Sequence, residues 1–152
     1  MSKTSYLKIL PPTWLLIALL LMLGLHFGLP VAQILPVPWI LLGLVPLFAG
    51  IIISTLAERD FQRAKTTIHP FKIPSNLVTT GFFRLSRNPM YLGFVFILTG
   101  VATLLGSLTP FGVILLFIWW ITTQFIHIEE QNMAAQFGSD WLEYKAQVRR
   151  WI

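Results

Sequence analysis

Four apolar stretches, none with an Asp, Glu, Lys or Arg in its middle, constrain this chain more than any other feature. They run from about Thr13 to Leu29, Trp39 to Ala57, Pro89 to Leu105 and Pro110 to Ile128. Each is roughly 17–20 residues long, close to the ~20 that a helix needs to cross ~30 Å of hydrocarbon. They do not alternate polar and apolar residues as barrel strands do, so they are expected to be helices. Hydrophobic residues make up 55% of the 152-residue chain and charged residues 11%, against about 25% charged in a soluble domain. A soluble fold of this size could not bury so much apolar surface. The expectation is an all-α integral membrane protein: one domain, four transmembrane helices, and polar segments at 58–88 and 129–152. Lys3 and Lys8 precede the first stretch, but no Ala-x-Ala-like site follows it, so a cleaved signal peptide is not expected.

The connections sort the charges. Leu29 to Pro38 is an uncharged turn holding Pro30, Pro36 and Pro38, and Gly106 to Pro110 closes the last two helices into a hairpin. All 11 Lys and Arg residues lie in the N-terminal tail, the 58–88 segment or the C-terminal segment, and all six acidic residues lie in the latter two. With four spans these three regions share one membrane face, and the positive-inside rule makes that face cytoplasmic. The net charge of +5 is then a topology and anionic-lipid signal, and nucleic acid is not an expected partner.

Any chemistry therefore belongs to the two polar segments together. In the first, Gly81 permits a tight turn, and Pro89 suits the first turn of the third helix. The free N–H groups of that helix start, flanked by Arg87 and Asn88, suit a carboxylate or phosphate; a basic, lipid-facing loop is the alternative. Glu129-Glu130 directly after the fourth stretch could hold a cationic ligand, or simply continue the helix into solvent. Tyr144, Lys145, Arg149, Arg150 and Trp151 read as a basic, aromatic tail suited to the membrane interface. His69 before Pro70, with Lys72 nearby, is either an acid–base group or a solvated loop residue. His26, His69 and His127 are far apart and cysteine is absent, so no metal site is expected. No Ser-His-Asp arrangement, phosphate loop or Rossmann glycine pattern occurs. Gly24 and Gly28 have the spacing of a helix-packing pair.

The stretch Leu77-Val78-Thr79-Thr80-Gly81-Phe82-Phe83-Arg84, followed by Arg87-Asn88-Pro89-Met90-Tyr91 and Gly93, resembles the core of isoprenylcysteine carboxyl methyltransferases and the related phospholipid methyltransferases. That family carries Arg-His-Pro-x-Tyr, then Gly, and a C-terminal Glu-Glu, Phe-Gly and Tyr-x-x-Tyr-like signature. The latter reads here as Glu129-Glu130, Phe137-Gly138, Trp141-x-x-Tyr144 and Val148-Arg149. The resemblance runs from about His69 to Arg149. It implies a membrane-embedded methyltransferase using S-adenosyl-L-methionine, without a Rossmann domain. By position it implies cofactor contacts at Leu77, Val78, Phe83, Asn88, Pro89, Met90, Tyr91 and Glu129, with Ser75 and Asn76 at the edge of that strip. A carboxylate at Glu129, N–H groups near Asn88 and Tyr91, and aromatic faces at Phe83 and Tyr91 suit a zwitterionic sulfonium ligand.

Arg87 and Arg149 are candidate catalytic residues that position an anionic group; charge and place suggest them, and the resemblance supports them. Transfer to a sulfonium methyl needs positioning and exclusion of water more than covalent help. Two departures stand out. Asn88 replaces the family's His, and Phe125 stands where isoprenylcysteine enzymes place a substrate-contacting Arg, which weakens the case for prenylcysteine itself. The chain also has fewer helices before the core than eukaryotic members. The expected activity is methyl transfer to a lipophilic small molecule or an isoprenylcysteine-like carboxylate, with membrane lipid as the other partner and a bacterial inner membrane as the setting. Phospholipid N-methylation is the alternative enzyme. A noncatalytic scaffold or transporter is the alternative class, although no ionisable residue lies mid-membrane as a transporter would need. A lipophilic acceptor is expected to enter between the third and fourth helices, near Gly93.

Overall fold

The computed structural model describes residues 9–29, 31–66 and 74–152. Lys3, Lys8, Pro30, His69, Pro70 and Lys72 lie outside them. All four apolar stretches are helical, and the described residues hold no strand beyond the isolated pairing of Gln33 with Ser107. The fold is that of an all-α membrane protein.

Helix α1 spans Pro11–Gly28 and starts on Pro11 and Pro12, whose missing N–H groups cost nothing in a first turn. A 3-10 turn, Trp39–Gly43, runs directly into α2, Leu44–Arg63. Helix α3 is Pro89–Leu105 and ends on Gly106, whose φ of 70° is a left-handed cap that suits glycine. The last part is one long helical run. It comprises α4 (Thr109–Ile121), a π-helical turn (Thr122–Ile126) and α5 (His127–Gln147). By length and composition three helical runs suffice to cross a membrane: Pro11–Gly28, Trp39–Arg63 and Thr109–Gln147. The shorter apolar α3 lies among them. The uncharged part of the last run ends at Ile128, so Glu129 and everything after it lie beyond the membrane-spanning segment.

Helix α3 is the hub. It packs against α2 on one side and against α1 and α4 on the other. Leu98 and Ala102 of α3, Met22 of α1 and Ile121 of α4 are fully buried in the main core. The α2–α3 contact is backbone-close because glycines face each other. A Cβ at Gly100 would lie 2.6 Å from the Leu47 nitrogen, and one at Gly50 would strike the Gly93 carbonyl. Lipid tails are as apolar as leucine, so this close van der Waals packing is what holds two membrane helices together.

Two expectations change here. Gly24 and Gly28 meet nothing within 4 Å, so that pair is not a packing seam. Gly93 faces α2, where a Cβ would meet Ser54 and the Gly50 carbonyl, so it does not gate a gap between α3 and α4. The segment after Ile128 follows one of its two expected forms, a continuation of the helix. It continues as helix to Gln147, bent at Gly138 by non-helical backbone (φ 51°, ψ −117°) that suits glycine.

At one end of the bundle His26 Nδ1 lies 2.7 Å from Ser107 Oγ, and the Gly106 carbonyl accepts the Ile34 and Leu35 N–H groups. The start of α1, the end of α2, the start of α3 and all of α5 gather at the opposite end, where they enclose a cavity.

Candidate active site

The cavity has a volume of about 560 Å³. Its floor is the turn leading into α3. A 3-10 turn at Gly81–Arg84 begins on Gly81 at φ 60° and delivers Phe83 inward, 5% exposed. Phe83 meets Phe61 of α2 edge to face, with ring centroids 5.0 Å apart. The Tyr144 hydroxyl of α5 donates to the Phe83 carbonyl at 2.7 Å and pins the turn from the other side.

The start of α3 is held as tightly. The Asn88 N–H donates to Ser86 Oγ at 3.1 Å, and Ser86 is fully buried. Ser86 Oγ and Asn88 Nδ2 both donate to the Arg150 carbonyl, at 3.2 and 3.1 Å, and the Arg87 N–H donates to the Arg149 carbonyl at 3.0 Å. The C-terminal strap thus clamps residues 86–88. Pro89 has no N–H, and the next N–H groups in a first helical turn, Met90 and Tyr91, lack intrahelical acceptors. Both residues line the cavity.

Glu129 reaches the same cavity from the far side. Its Oε1 accepts the Tyr91 hydroxyl at 2.7 Å. The π turn makes this meeting possible. Its wider i→i+5 bonding holds one residue more than an α turn, which rotates everything after it by roughly 100°. Thr122 and Thr123 donate their hydroxyls back to the Ile118 and Trp119 carbonyls across that step. Burial pushes the Glu129 carboxyl up to about 7; the Tyr91 bond pulls it down and the charge of Glu130 adds to the rise. Glu130 goes the other way. Burial raises it, but a hydrogen bond from Arg150 and the charges of Arg87, Arg150 and Lys145 hold it below the usual carboxylate range. Arg150 is correspondingly raised, first by its hydrogen bond to Glu130.

The residues singled out in the sequence therefore converge, with one exception. Leu77, Val78 and Phe83 line the cavity, as do Asn88, Pro89, Met90 and Tyr91, and Glu129 closes it. Arg87 lines it too. Arg149 does not; its side chain is exposed, and it contributes a backbone carbonyl only. Of the two residues at the edge of the strip, Asn76 donates to the Ala64 carbonyl at 2.7 Å and Ser75 to the Lys65 carbonyl at 3.2 Å, which ties the strip to the end of α2.

Residue-level reading missed several wall positions. Trp141 and Tyr144 are buried at 4% and 6% exposure and line the cavity; Tyr144 was expected with the tail at the membrane interface, and Trp141 entered only through the C-terminal signature. Their three-residue spacing, which puts both on one helix face, was the available signal. Leu10, Pro11 and Pro12, at the start of α1, form another wall that carried no signal. No group of three or more potential metal ligands occurs among the described residues.

Residues 38–140 match the family model described as phospholipid methyltransferase. That range includes the turn before α3, all of α3 and α4, and both adjacent glutamates. The chain belongs to this family. Family membership agrees with what the Arg87-Asn88-Pro89-x-Tyr91 and Glu129-Glu130 motifs implied. Among similar proteins, the Arabidopsis thaliana protein-S-isoprenylcysteine O-methyltransferase A is 32% identical over 110 residues, which cover 70% of this chain and 55% of that protein. The Saccharomyces cerevisiae protein-S-isoprenylcysteine O-methyltransferase is 32% identical over 72 residues, 47% of this chain and 30% of the yeast protein. The chain thus spans about half the length, or less, of these curated relatives. No solved structure matches.

Proposed function

We propose that this protein is an S-adenosyl-L-methionine-dependent methyltransferase acting on a lipophilic acceptor at the membrane. One observation carries the reading. The eight positions that the resemblance assigns to the cofactor, separated by up to 52 residues between Leu77 and Glu129, line one cavity. Its volume of about 560 Å³ lies within the ~300–1,000 Å³ usual for small-molecule and cofactor sites.

The donor groups fit the cofactor's chemistry. A buried carboxylate at Glu129 suits a cationic or hydroxyl-bearing ligand. The Met90 and Tyr91 N–H groups suit its carboxylate. Leu77, Val78 and Phe83 give an apolar wall for a flat base, and the Tyr91 and Phe83 rings attract cations. When bound, the cofactor supplies an electrophilic methyl group. The chain's own residues do the rest. Arg87 holds an anionic group of the acceptor, Leu10, Pro11, Pro12 and Phe94 wall its apolar part, and the clamp on residues 86–88 fixes the geometry and excludes water. The charge asymmetry supports a cytoplasmic position for this end of the bundle, where a soluble methyl donor is available.

The acceptor is proposed to be a lipophilic carboxylate. The activity for which the relatives are named, O-methylation of an isoprenylcysteine, supports that class. Phe125, buried at 4% exposure in the main core, stands by the resemblance where the isoprenylcysteine enzymes carry a substrate-contacting Arg, and this favours an acceptor other than prenylcysteine itself. Calorimetry of S-adenosylmethionine with the purified protein should show binding that Glu129→Ala abolishes. A folded wild-type protein that fails to bind the cofactor would sink the proposal. Incubation of membranes with labelled methyl donor, followed by lipid extraction, then separates a methyl ester from an N-methylated phospholipid.

A further inference from the structure

Arg150 lies outside the stretch that matches the family and has only a backbone part in the clamp described above. Its side chain does something separate. The guanidinium forks onto Glu130, with Nε 3.1 Å from Oε1 and a terminal nitrogen 2.7 Å from Oε2. Glu130 Oε1 also takes an Arg87 terminal nitrogen at 3.0 Å. One carboxylate is therefore shared by two guanidinium groups.

The consequence falls on Arg87. Its side chain is 7% exposed, and its guanidinium carbon lies 5.6 Å from the Trp141 ring centroid. Its Nε is buried without a hydrogen-bond partner among the described residues. An Arg87–Glu130 pair by itself would be neutral and self-satisfied. With Arg150 taking up the carboxylate from the outside, the three charges leave a net positive charge at the cavity wall. A buried cation with an unused donor is costly unless something pairs with it.

We infer that Arg150 is a positioning residue that neutralises Glu130, so that buried Arg87, although it also touches Glu130, keeps a surplus positive charge and an unpartnered Nε with which to hold a carboxylate of the methyl acceptor inside the cavity. This rests on the proposal that an anionic acceptor group sits at Arg87, and it names the residue that makes Arg87 able to do so. Arg150 thus takes, indirectly, the part that charge and place suggested for its neighbour Arg149.

The test uses the full chain in detergent, with dodecanoate and its methyl ester as probes of lipophilic acid and neutral analogue. Wild-type protein should bind the acid better than the ester. Arg150→Met should lower that preference by about tenfold, the scale of one hydrogen bond to a charged group, and leave ester binding unchanged. The backbone clamp is untouched by this substitution, because Ser86 and Asn88 bind the Arg150 carbonyl and not its side chain. Arg150→Lys should keep most of the preference. The deciding variant is the double one: Glu130→Gln in the Arg150→Met background removes the charge that Arg150 compensates, and should restore the preference. A residue that only braced the fold would weaken both probes, and the second substitution would deepen the loss. A wild-type protein without acid preference, an unchanged Arg150→Met, or an unrestored double variant each overturns the inference. Cofactor binding measured on the same samples reports separately on the methyltransferase reading.

Discussion

At the residue scale the pair Tyr91–Glu129 sets the character of the cavity. A carboxylate that burial lifts to about 7 is mostly neutral in mildly acid solution and ionised above neutrality. A sulfonium ligand prefers the ionised form. Affinity for S-adenosylmethionine should therefore rise with pH between about pH 6 and 8, and level off once Glu129 is deprotonated. In Glu129→Gln this rise should vanish and affinity should be low throughout. Binding isotherms at several pH values check both points. Tyr91 and Glu129 stand 38 residues apart, and no local pattern announces their contact; the family motifs marked each one, but only the packing of α3 against the last helical run joins them. Arg149 and Arg150 teach the same lesson from the other direction. Both are basic, adjacent and near the C-terminus, and the direction in which the strap leaves α5 decides which of them turns inward.

At the element scale two devices carry the architecture. The first is the π turn at Thr122–Ile126. Deleting Thr122 should convert it to ordinary α-helix and swing Glu129 away from Tyr91 by about 100°. Circular dichroism should then report unchanged helix content while cofactor binding is lost. Retained binding would show that the turn is incidental. The second is the glycine seam between α2 and α3. Gly100→Val would drive a side chain into Leu47, whose nitrogen lies 2.6 Å from the Cβ position, and should lower stability by about 1–3 kcal/mol or more. Unfolding monitored in detergent measures it. A valine at Gly24, which faces open space, is the control and should change little. The sequence marked glycine positions without saying which ones pack.

At the scale of the whole molecule one end of each helical run gathers on the same side. The start of α1, the end of α2, the turn before α3 and α5 share a cavity, as a four-span count with one charged face requires. A reporter fused after Ile152 should read cytoplasmic, and a periplasmic or lumenal signal would overturn the orientation argued from Lys and Arg. The arrangement also divides the cavity wall. The half built by the turn before α3 and α5 lies within or next to the family match. The wall from Leu10 to Pro12 comes from α1, which lies outside it. On the proposed reading, acceptor choice can vary through α1 while the cofactor side stays as it is.

By itself the sequence determined the class of fold, the number of apolar stretches, the face that carries the charge, and the motif residues of the family. Each of these is a local or additive property: uncharged runs of spanning length, lysine and arginine counts per connection, or short spacings such as Arg87 to Tyr91. Only the tertiary structure decided which sides of those helices turn inward. In lipid both the core and the outside are apolar, so hydrophobic periodicity does not separate a packed face from a lipid face. Gly93 turned out to face α2, Glu129 to face Tyr91 after a change of helical phase, and Arg150 to reach Glu130, because close backbone contact and long-range polar pairing settled each orientation.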